Sequence, residues 1–219
     1  MSGAQYIYAP ETLIRAYMLG VFPMAESRTD PSINFYAPDI RGVLPLNPPH
    51  IPRKMGKLVR QRRYEVRWNH AFAQVIDACA EINEWRQETW INDEIIRLFI
   101  ALHKMGFAHS VEVYDADKLI GGLYGLAIGG CFFGESMFSR QSNSSKLALV
   151  HLIARLKAGG FRLLDAQFSN EHLKQFGLQD IPADDFTPML EEALATEASL
   201  DLSLSEDVVI NRLFERPNS

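Results

Sequence analysis

The chain has 219 residues, 47% hydrophobic and 22% charged, with a net charge of −5, which fits one large domain or two small ones at about 150 residues each and argues against disorder, collagen-like structure and coiled coil. Two cysteines, Cys79 and Cys131, can build neither a disulfide framework nor a four-cysteine zinc site. No apolar run reaches the roughly 18 residues of a membrane span, and Glu11 and Arg15 interrupt the stretch where a leader would be apolar, so a cytoplasmic location is expected.

The first predicted element is a helix from Pro10 to Leu19. Proline suits its first turn, Gly20 suits the position past its end, and Leu13, Ile14, Tyr17 and Met18 form its apolar stripe. Prolines 23, 31, 38, 45, 48, 49 and 52 then favour short extended pieces and turns. Arg53, Lys57 and Arg60 recur at helical spacing inside a basic stretch, so they can share one face. The end of a small N-terminal domain is expected near residue 60, with the remainder, 61–219, as the second domain.

Asn69 can cap a helix carrying Phe72, Val75, Ile76 and Cys79, and a second helix is expected from Asp93 to Lys104. Alternation then marks strands at Ser110–Tyr114, Leu119–Ile128 and Cys131–Phe133, joined by turns at Asp115–Asp117 and Gly129–Gly130. Ser142, Asn143 or Ser144 can cap a long helix that ends at Gly159–Gly160. Phe161–Gln167 reads as a buried strand, Asn170 caps a short helix, a helix runs from Asp184 to Glu197, and Leu200, Leu202 and Leu204 alternate as a late strand. The fold class is mixed α/β (α+β), with helices on a largely antiparallel sheet.

Two clusters can carry chemistry. Glu135, in Gly134-Glu-Ser-Met-Phe-Ser-Arg140, enters the most apolar neighbourhood of the chain, where a carboxylate needs partners or its pKa rises. It reads equally as a site acid or as an acid that caps a turn or pairs with an arginine. Asp165 and Gln167 alternate on one face at the end of an apolar strand. They can orient a nucleophile and accept its proton, or form a structural pair. The chain has no G-x-S-x-G, H-E-x-x-H, Walker or G-x-G-x-x-G motif, and its six histidines show no metal-ligand spacing.

These residues fall into a longer pattern. Ala16-Tyr17, Gly20-Val-Phe-Pro23, Pro38-Asp39, Arg41, Thr89-Trp-Ile91, Ala108-His-Ser-Val-Glu112, Gly121-Gly-Leu-Tyr-Gly125, Gly134-Glu-Ser-Met-Phe-Ser139, Ser145-Lys146, Leu164-Asp165, Gln167 and His172-Leu173 follow one another in order. In this the chain resembles the leucyl/phenylalanyl-tRNA–protein transferases. The resemblance implies a small N-terminal domain followed by one like the GCN5-related N-acetyltransferases, with no cofactor, metal or membrane. It implies aminoacyl transfer of leucine or phenylalanine, with methionine as a further donor, from tRNA to proteins beginning with Arg or Lys, marking them for degradation.

By that resemblance Asp165 and Gln167 take the catalytic positions, Gln167 orienting the amine and itself polarised by Asp165, with Glu135 in support. Arg53, Lys57 and Arg60 contact the tRNA backbone. Trp90 stacks on the terminal adenosine, and Met24 stands where many members carry a second tryptophan. An apolar pocket for the donor side chain is expected from Phe132, Met137, Leu149, Leu152, Leu156 and Leu164, with Leu123 nearby. The alternatives are a CoA-dependent N-acyltransferase, disfavoured by the glycine-free Arg140–Ser145 stretch, and a non-catalytic module that binds aminoacyl-tRNA.

Overall fold

The computed structural model describes residues 8–84 and 87–215. Its elements in chain order are α1 (Pro10–Met18), β1 (Phe22–Met24), β2 (Asn34–Tyr36), β3 (Ile40–Leu44), α2 (Arg53–Arg60), β4 (Glu65–Trp68), α3 (Phe72–Ala80), α4 (Asp93–Lys104), β5 (Ala108–Asp115), β6 (Lys118–Ile128), β7 (Cys131–Ser139), α5 (Ser144–Ala158), β8 (Leu163–Gln167), α6 (Glu171–Lys174), β9 (Gln179–Pro182), α7 (Ala183–Leu194) and α8 (Glu206–Phe214). β1 and β2 pair with each other, and the other strands form one seven-stranded sheet in the order β4-β5-β6-β7-β8-β3-β9. Neighbours are antiparallel except β7 and β8, which run parallel because α5 carries the chain back between them.

Alternation along the central strands feeds two cores, one on each face. Tyr124, Phe133 and Leu163 join α1, α3, α4 and α7 in the first. Leu123, Phe132 and Leu164 join α2, α5 and α8 in the second. α5 is apolar nearly all round, with Leu147 to Leu156 buried without interruption. Such a helix needs cover on the side away from the sheet, and α2 and α8 supply it.

That need overturns the late strand expected at Leu200, Leu202 and Leu204. The segment is turn and coil, with Leu200 and Leu204 packed on the second core and Leu202 exposed. It leads into α8, whose Val209, Ile210 and Leu213 are buried. One further expectation changes. Asn69 does not cap α3. Its backbone is left-handed (φ 55) and its Oδ1 accepts from Ser110 N, while the buried Glu112 carboxylate takes the amides of His70 and Ala71 just before the helix. β3, which precedes residue 60, lies inside the large sheet between β8 and β9.

Candidate active site

β7 and β8 pair only from Cys131↔Leu163 to Phe133↔Asp165, and the cavity described below opens past that point. Each carries one extra residue against its other neighbour. In β7 this is Glu135, between Gly125↔Gly134 and Tyr124↔Ser136. In β8 it is Ala166, between Val43↔Asp165 and Gly42↔Gln167. Bulges bend strands and re-aim side chains, and here they face one another. The space between them is a cavity of about 220 Å³, lined by Leu44, Leu123, Met137, Leu149, Leu152 and Leu164 together with Glu135, Asp165 and Ala166. A wider cleft of about 610 Å³ shares Met137, Leu149, Asn170 and Leu173 with it and adds Glu81, Arg140, Lys146 and His172.

Glu135 is the hub of this site. Its Oε1 accepts from Tyr17 Oη at 2.7 Å and from Gln167 Nε2 at 2.9 Å, while Oε2 is buried without a hydrogen-bond partner. Burial pushes its carboxyl up to about 8, with the Asp165 charge adding to the rise and the Tyr17 and Gln167 bonds opposing it. A carboxyl tuned there can exchange a proton near neutral pH. Burial and the Glu135 carboxylate together raise the Tyr17 phenol well above its ordinary value, so Tyr17 remains a donor.

Asp165 is fully buried and takes its donors from elsewhere. Arg41 Nε bonds both carboxylate oxygens (3.0 and 3.1 Å), Arg41 Nη2 bonds Oδ2 at 2.7 Å, and Gln167 N bonds Oδ1 at 2.8 Å. Burial raises its pKa and Arg41 pulls it back; a carboxylate surrounded by donors is the form this geometry fits. Arg41 lies between the rings of Phe22 and Phe186, at 4.7 and 4.8 Å, and its Nη1 bonds Gly20 O at 2.7 Å.

The expectation that Asp165 polarises the Gln167 side chain is therefore corrected. The bulge at Ala166 breaks the simple alternation: Asp165 holds the backbone of Gln167, and Glu135 holds its side chain. Gln167 has φ 64, and Phe168 N donates to Ala166 O across it at 2.7 Å, the hydrogen bond of a γ-turn with positive φ. Such a conformation is strained for a residue with a side chain and collects at functional sites. Its Nε2 donates to Glu135 Oε1. The turn also sits on Gly42, where a Cβ would lie 3.0 Å from the Phe168 carbonyl carbon and oxygen.

Met137, Leu149, Leu152 and Leu164 line the cavity, with Leu123. Phe132 and Leu156 do not: both are completely buried in the second core. Trp90 and Met24 stand apart from the cavity, on the edge of the first core, where Ala25 N bonds Trp90 O. Arg53, Lys57 and Arg60 are exposed on α2, whose Met55, Gly56 and Val59 face inward. Arg41 and Tyr17 escaped attention as site residues. The signal for Arg41 was a guanidinium inside the apolar strand Ile-Arg-Gly-Val-Leu, which requires a buried acid as partner. Tyr17 was counted in an apolar stripe although its hydroxyl also needs a partner once buried.

The backbone of Gln167 is strained, its side chain is held by Glu135, and Glu135 lines an apolar cavity. Comparison with known proteins gives the family. Residues 43–191 match the family described as leucyl/phenylalanyl-tRNA protein transferase, and residues 8–39 match its N-terminal domain. The leucyl/phenylalanyl-tRNA–protein transferase of Hyphomonas neptunium is 53% identical over 87% of this chain and 74% of its own length. That of Paramagnetospirillum magneticum is 52% identical over 87% of this chain and 91% of its own. The chain belongs to the leucyl/phenylalanyl-tRNA–protein transferase family and is an aminoacyltransferase.

Proposed function

We propose that the protein moves leucine or phenylalanine, with methionine as a further donor, from tRNA onto proteins whose first residue is Arg or Lys. The observation that carries this is Gln167, strained in its backbone and held through its amide by Glu135, which lines an apolar cavity. The donor side chain occupies that cavity, where the flexible Met137 adapts to its shape. The acceptor's α-nitrogen attacks the ester carbonyl carbon. A C–N bond forms, the C–O bond to the terminal ribose breaks, and the amine proton passes to the departing ribose oxygen. Gln167 receives the amine through its amide oxygen, and Glu135 fixes that amide and exchanges a proton near neutral pH. Because the ester is already activated, holding the reactants in line supplies much of the rate.

In this reading Trp90 and Met24 flank the terminal adenosine, and Arg53, Lys57 and Arg60 meet backbone phosphates without reading sequence. The β7–α5–β8 crossover and its parting strands support the likeness to GCN5-related acetyltransferases. The test uses purified protein, radiolabelled leucyl-tRNA and peptides that differ in their first residue. Label enters peptides beginning with Arg or Lys and spares their N-acetylated forms and peptides beginning with Asp. Label spread equally over all first residues, or found on none, overturns the reading.

A further inference from the structure

α8 lies beyond the segment matched by the family, which ends at residue 191. It roofs α5 and reaches α2 at two points. Asp207 pairs with Arg62 at 3.1 Å, just past the end of α2. The ring of Phe214 lies over Gly56, at ordinary contact distance from where a Cβ would stand, and the Arg60 guanidinium sits 4.1 Å above the centre of that ring. The other end of α8 is anchored in the protein. Glu206 accepts from Trp68 Nε1 at 2.9 Å, bonds His151 Nδ1 at 2.5 Å and pairs with Arg155.

We infer that α8 is a positioning element for tRNA: Phe214 holds Arg60 of α2 in the orientation that meets a backbone phosphate. This rests on reading α2 as the phosphate-binding face. An exposed arginine samples many rotamers, and fixing it before the encounter reduces the ordering cost of binding. Of Arg53, Lys57 and Arg60, Arg60 is the one with such a support among the described residues. Arg53 and Lys57 have neither a ring nor an acid against them among the described residues. The ring supplies orientation without neutralising the charge, so Arg60 keeps its full attraction for phosphate.

The experiment compares Phe214→Leu, Phe214→Tyr and Arg60→Gln, singly and with Phe214→Leu and Arg60→Gln combined. Leucine keeps apolar packing on Gly56 but removes the ring face; tyrosine keeps both. A cation–π contact at an exposed site is worth about 0.5–1 kcal/mol, so Phe214→Leu raises KM for leucyl-tRNA about two- to fivefold. Its kcat at saturating donor is unchanged. Phe214→Tyr restores the normal KM, and Phe214→Leu adds nothing in the Arg60→Gln background. Equal KM values for the leucine and tyrosine variants, or a further rise in the double variant, overturn the inference while leaving α2 as a tRNA surface. An unchanged KM in Arg60→Gln removes Arg60 from that surface and the inference with it. If Arg53→Gln and Lys57→Gln also leave KM unchanged, the whole reading of α2 fails.

Discussion

In the opening between β7 and β8 each charged side chain has a partner at hydrogen-bond distance, whereas on α2 Arg53 and Lys57 face solvent with no acid within ion-pair reach among the described residues. The contrast is one of surroundings more than of charge. Asp165 and Arg41 are 0% and 2% exposed, so each is tolerated only because the other is there. Arg53 and Lys57 are hydrated and cost nothing unpaired, and they remain free to trade that water for a phosphate. On the proposed reading, substitution in the first region touches rate and folding together, and substitution in the second touches binding alone, which salt can imitate.

The sharpest way to break this comparison is Gln167→Ala. Losing a group that positions a proton transfer lowers kcat by roughly 10²–10⁴-fold, while KM for aminoacyl-tRNA stays close to normal. Single-turnover label transfer at saturating donor measures it. A near-normal rate would take the Gln167 amide out of the reaction and leave the ribose hydroxyl of the substrate to handle the proton.

Asp165→Asn comes next, and the structure reverses what shape alone would say. Asparagine fills the same space, so from sequence the variant is expected to fold normally. The structure shows that it would leave the buried Arg41 guanidinium without its counter-charge, a loss of about 3–5 kcal/mol for a broken buried pair. Denaturant unfolding of the variant and of Arg41→Met/Asp165→Leu separates the two effects. The double change restores most of the stability and none of the activity. Equal stability of Asp165→Asn and the unsubstituted protein would show that burial does not set the rules here.

The smallest effect is expected on α2. Neutralising Arg53, Lys57 and Arg60 together raises KM for aminoacyl-tRNA and flattens its dependence on salt. Each phosphate contact removed lowers the log–log slope by about 0.7–0.9. An aminoacyl-adenosine donor, which lacks the tRNA body, reacts as before. Equal losses with both donors would place these residues in the fold or the site and erase the distinction between the two regions.

How much of this was legible follows the same divide. α1, α4, the β5–β6–β7 meander and α5 were readable because their apolar spacing and their turns agree locally. Glu135, Asp165 and Gln167 were readable as polar groups in apolar company. Their wiring was not, since two bulges and one left-handed residue decide it and neither leaves a period in the sequence. α8 was missed because leucine alternation at 200–204 looks like a strand, whereas the chain there serves α5. The clue lay in α5 itself, which has more apolar faces than one sheet can cover.

Gly42 never touches a substrate in this scheme, yet the turn that bears Gln167 rests on the space where its side chain would be. A single methyl there would act as a shim, lifting the reacting amide away from Glu135 without altering any group that reacts. Rate would then be set by a spacer of one carbon atom, and a Gly42→Ala protein that unfolds normally but transfers slowly would be its mark. On this reading the placing of the amide depends on an absence of atoms, at a place that a catalogue of reactive side chains would pass over.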